Sequence, residues 1–109
     1  MNLKEIIDKC GGLSIREKRC AMEDYVEIVF YNKEIEEWKK IFSGILGPAK
    51  KPAGVKPAVD DLNLTRDSGG IRLEQILYGK VFQDVIVIAM FCPWKDDLHT
   101  TLKMTLLKN

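Results

Sequence analysis

The chain has almost no imbalance of charge: 17 basic and 16 acidic residues leave a formal net charge of +1. A dedicated nucleic-acid binder carries a strong basic excess, so that class is set aside. Cysteine is scarce and unpatterned. Cys10, Cys20 and Cys92 are odd in number, irregularly spaced and contain no Cys-x-x-Cys pair, which is not a secreted disulfide framework. The longest unbroken apolar run, residues 85–92, is far too short to cross a bilayer. The first ten residues, MNLKEIIDKC, carry charges among their apolar positions and read as neither a signal peptide nor a transit peptide. A soluble, cytoplasmic protein is expected. The glycine spacing of phosphate-binding and dinucleotide fingerprints is missing, no repeat is found, and no cofactor is implied.

What is present is globular. A chain of 109 residues, 46% hydrophobic and 30% charged, is one domain able to bury a core without disulfide or metal staples. Leu3, Ile6, Ile7 and Cys10 fall on one helical face, with Asn2 as N-cap and Gly11-Gly12 as the stop. Over residues 20–31 the period drops to two: Val26, Ile28 and Phe30 face one way, Tyr25, Glu27, Val29 and Tyr31 the other, which predicts a strand. Residues 16–19 (REKR) before it read as a solvated approach.

Asn32 is the predicted cap of a second helix. Its buried stripe is Ile35, Trp38, Ile41, Phe42 and Ile45, and Gly47-Pro48 ends it. Glu34, Glu36 and Glu37 complement the dipole of its first turns and need no chemistry to explain them. Residues 71–78, 81–92 and 100–108 read as three strands, with a hairpin turn at either Gly79-Lys80 or Gln83-Asp84. The order α-β-α-loop-β-β-β predicts a two-layer α+β domain spanning residues 1–109. Two helices would lie on one face of a four-stranded, mixed but mostly antiparallel sheet, whose first two strands run parallel through a crossover.

Residues 85–91 offer apolar side chains to both sheet faces, yet two helices cover only one. A second cover is required. One is the segment 47–70, which holds three of the four prolines and shows no regular period, with Val55, Val59, Leu62 and Leu64 available to lie across the sheet. The other is a second copy of the chain, giving a homodimer through the sheet face.

Four sets of residues could carry function. Lys50, Lys51, Lys56 and Arg66, with the Gly69-Gly70 turn beside them, suit phosphate groups or an acidic partner. The plainer reading is a packed loop kept soluble by its lysines, and Asp60-Asp61 halve its charge. Cys10, Cys20, Cys92 and His99 are zinc-type ligands, but without ligand spacing they read more plainly as small buried hydrophobes. Cys92 and His99 could pair as nucleophile and base, with an aspartate orienting the imidazole. Trp94 suits a partner contact or a lid on the core. The function expected is a small binding domain engaging a partner protein or a small anionic ligand. It would use the 47–70 loop and the adjoining sheet face, with Lys50, Lys51, Lys56, Arg66 and Trp94 in contact. The alternative is a thiol-dependent enzyme or metal-binding protein built on Cys92 and His99.

Overall fold

Residues 2–108 are described, in a computed structural model. Asn2 caps α1 (Leu3–Asp8) by accepting the Glu5 N–H on its side chain at 2.8 Å, and Leu3 and Ile6 are buried beneath. Two strands follow, β1 (Ile15–Ala21) and β2 (Tyr25–Tyr31), and then α2 (Ile35–Leu46). Gly47 stops α2 at a φ of 86°, a conformation glycine takes without steric cost. A short helix α3 (Val59–Thr65) lies within the segment expected to be irregular. The strands β3 (Ile76–Phe82), β4 (Val85–Pro93) and β5 (His99–Lys108) complete the chain.

The α+β class holds, and the sheet differs from the expected one in detail. It has five strands in the order β1-β2-β5-β4-β3, and every neighbouring pair is antiparallel. The REKR segment is the fifth strand and not a solvated approach. Two register shifts, between Ile15 and Glu17 and between Lys18 and Cys20, erase the alternation by which a strand is recognised. The expected parallel crossover is absent because β5 occupies the inner edge of β2, pairing from Tyr25↔Thr105 to Tyr31↔His99. Of the two possible hairpin turns, Gln83-Asp84 makes the connection, with Gln83 at a φ of 57°. Asn32 does not cap α2. Its side-chain oxygen accepts from the Thr100 hydroxyl at 2.6 Å, and a 3-10 turn (Asn32–Glu34) leads into the helix.

Both α1 and α2 pack on one sheet face. Trp38 stacks on Phe30 with ring centroids 4.5 Å apart, and Phe42 and Phe91 close the cluster. The opposite face carries a second, smaller core of Ile71, Leu77, Ile88 and Met90. Ile71 comes from the end of the long connection, so that connection forms a third layer. It covers β3 and β4 on this face and reaches β5 where Ser68 meets Thr105 and Lys103; on β2, Tyr25, Glu27 and Tyr31 stay partly exposed while Val29 is buried.

Candidate functional site

The layer over residues 47–73 is held from within by polar groups. Lys51 is 1% exposed, and its Nζ donates to the carbonyl oxygens of Pro52 (2.8 Å), Leu73 (2.8 Å) and Gln75 (2.5 Å). An ammonium has three protons, and here each has an acceptor. Burial pulls the Lys51 pKa below its ordinary value, partly opposed by Asp61 and Glu74. The Lys51 backbone also exchanges hydrogen bonds with Leu77 on the outer edge of β3. Further along, Asp61 accepts the Ala58 N–H at 2.9 Å, while Ser68 meets the Thr105 hydroxyl and accepts from Lys103 Nζ.

Apolar residues of this layer point the other way. Val55 (48% exposed), Val59 (75%), Leu62 (47%) and Leu73 (53%) lie on its outer side. They are four of seven exposed large apolar residues among those described, the others being Met22, Val81 and Leu98. The residues on α3 that face inward are Asp61 and Thr65, one turn apart. The expectation that Val55, Val59, Leu62 and Leu64 lie across the sheet is therefore corrected: the first three are exposed, Leu64 is half-buried and belongs to neither core, and Ile71 supplies the apolar cover. Lys50 bridges to Asp60 at 2.7 Å, and that hydrogen bond raises its pKa. Lys56 and Arg66 are exposed. Within the set Lys50, Lys51, Lys56 and Arg66, one cation is thus internal, one is paired and two face solvent.

On the β1–β2 side of the same face, Trp94 donates its indole N–H to Thr101 Oγ1 at 2.8 Å. The Arg16 and Arg19 guanidinium carbons each stand 5.5 Å from its ring centroid. Both arginines are the residues skipped by the β1–β2 register, and so the bulges turn them onto the face that holds Trp94. Arg16 Nη1 lies 3.3 Å from Glu17 Oε1 and Arg19 Nε 3.2 Å from Glu17 Oε2. Arg19 also reaches Glu27, which accepts the Tyr25 hydroxyl at 2.6 Å. Sequence reasoning missed this cluster, because two arginines three residues apart in a charged segment look solvated until the bulges are known.

His99 Nδ1 meets Asp96 Oδ2 at 2.6 Å, and Asp96 Oδ1 accepts the backbone N–H groups of Leu98 and His99. The hydrogen bond from His99, aided by that from Leu98, holds the Asp96 carboxyl below its usual range. An aspartate does orient the imidazole, but no hydrogen bond joins His99 to Cys92 among the described residues. Burial pushes the Cys92 thiol up to about 11, and the Cys10 thiol likewise. Cys92 pairs across the sheet with Thr101, and Cys20 with Glu27. The strands β2 and β5 therefore separate the two thiols. Cys10 is buried under α1, where its Sγ donates to the Ile6 carbonyl. Among the described residues, no group of three or more His, Cys, Asp or Glu side chains is placed to hold a metal.

A cleft of about 530 Å³ runs between α1 and the β1–β2 hairpin, floored by Leu3, Ile7, Val26 and Ile28. Its rim carries Lys4 and Lys18 against Asp8 and Glu23 and so favours neither sign of ligand. No helix among the described residues is long and apolar enough to cross a membrane. No protein-family model, curated protein or solved structure matches the chain.

Proposed function

We propose that this chain is a small protein-interaction domain whose docking surface is the outer side of the 47–73 layer. The observation that carries the reading is the outward placement of Val55, Val59, Leu62 and Leu73 on a layer whose inner contacts are largely polar. Val59 and Leu62 lie one helical turn apart, the Gly54 N–H next to Val55 donates to the Leu73 carbonyl, and exposed apolar side chains grouped in this way mark an interface. The exposed charges of this layer, Lys50, Lys56, Arg66 and Arg72 against Asp60 and Asp67, include both signs, so cations of one copy can meet carboxylates of the other across an isologous pair. A second copy of the chain is the partner this surface fits. The three free cysteines suit a reducing compartment, the cytoplasm.

Sedimentation velocity over a concentration series tests this. Wild type should show a reversible monomer–dimer equilibrium, and Val59→Asp/Leu62→Asp should abolish it with an unchanged circular dichroism spectrum. A wild type that stays monomeric throughout, or a variant that dimerises equally well, overturns the reading.

The anionic-ligand reading of the loop has less support, because Lys51 is committed to three carbonyls and Lys50 to Asp60. The thiol-enzyme reading is weakened by thiols that burial keeps protonated at neutral pH.

A further inference from the structure

We propose that Arg16 and Arg19, set on Trp94, form a binding site for a phosphate monoester, and that Glu17 occupies this site until a stronger anion displaces it. The inference concerns the β1–β2 side of the sheet face and goes beyond the docking surface above.

Three features build the site. The first is aim. Two bulges in one seven-residue edge strand are costly irregularities, and each delivers an arginine to the same ring. Bulges are favoured where a side chain must be re-aimed. The second is preorganisation. Trp94 is fixed by its hydrogen bond to Thr101, so the guanidiniums stand within cation–π range of an anchored ring and lose less freedom on binding. The third is an internal stand-in for the ligand. The Glu17 carboxylate gives one oxygen to each arginine, which shows that the gap between the guanidiniums accepts an oxyanion.

Glu17 is itself a weak occupant. Its side chain is 44% exposed, the contacts of 3.2 and 3.3 Å are long for charge-assisted hydrogen bonds, and exposed pairs of this kind contribute little. A phosphate monoester carries nearly twice the charge and three terminal oxygens, and a planar guanidinium recognises it bidentately. On leaving, Glu17 needs only to swing into solvent. Glu27 remains beside Arg19, hydrogen-bonded to Tyr25, and limits the site to one anion.

The test is an NMR titration of the ¹⁵N-labelled chain with phenyl phosphate at constant ionic strength, following the Trp94 indole N–H and the arginine Nε–H signals. Saturable shifts are expected at Trp94, Arg16 and Arg19. The variant E17Q should tighten binding about fivefold, the scale set by exposed ion pairs. Arg16→Lys/Arg19→Lys keeps the charge but loses the forks and should weaken binding about tenfold. Shifts that sodium chloride reproduces, an unchanged affinity in E17Q, or equal affinity for benzoate would each overturn the proposal.

Discussion

A lysine ammonium is kept charged inside a protein only when its protons are taken up, and at Lys51 three main-chain oxygens take them. All three belong to the 47–75 connection, so this side chain ties the start of the connection to its end. Lys51→Met fills similar volume but leaves those carbonyls without their donor. The expected cost is about 2–4 kcal/mol, read as a lower urea midpoint at unchanged m-value. Thiol chemistry gives a second check. With Cys10 and Cys92 raised from 9.0 to about 11, iodoacetamide should label both roughly a hundredfold more slowly at neutral pH than in the urea-unfolded chain. For Asp96 the folded pKa is depressed. Its contribution to stability is therefore present above the ordinary carboxylate value of 3.8 and is lost as pH falls through the lower folded value. The Asp96 side-chain carboxyl carbon signal should titrate in that acidic window with its midpoint below 3.8; a midpoint at or above 3.8 would contradict the assignment.

At the scale of elements, α1, α2 and β5 follow from the sequence because their apolar periods point at the larger core, and β4 follows because its unbroken apolar run serves both cores. The misread elements break that link for identifiable reasons. In β1 two bulges place Arg16, Glu17, Arg19 and Cys20 on one face, so strict alternation never forms. In α3 the residues that meet the rest of the domain are Asp61 and Thr65, while Val59 and Leu62 face outward, so a stripe of valine and leucine marks the wrong side of the helix. The cation set Lys50, Lys51, Lys56 and Arg66 was legible as a group. That one member is interior was not, since two of its three acceptors come from main chain more than twenty residues away. The turn after β3 offers a direct test of local strain. Gln83 holds a positive φ that glycine favours, and Gln83→Gly should raise stability by about 0.5–1 kcal/mol in thermal unfolding. A loss would show that the Gln83 side chain has a role of its own.

At the scale of the whole molecule, one antiparallel sheet separates two cores of unequal size. Helices cover the larger core, and the 47–73 connection covers the smaller. The two sheet edges are protected differently: β1 by bulges and charge, β3 by its bridge to Lys51 at Leu77. What remains outside is an apolar outer surface on the connection, and a separate polar and aromatic surface around Trp94. The central claim is that the first of these is where a second copy docks. Site-specific photo-crosslinking tests it most directly, with benzoylphenylalanine placed at Val59 in one sample and at Tyr31, on β2, in another. A crosslinked dimer from position 59 and none from position 31 is the predicted result. A dimer from position 31 alone, or none from either position, would contradict the claim.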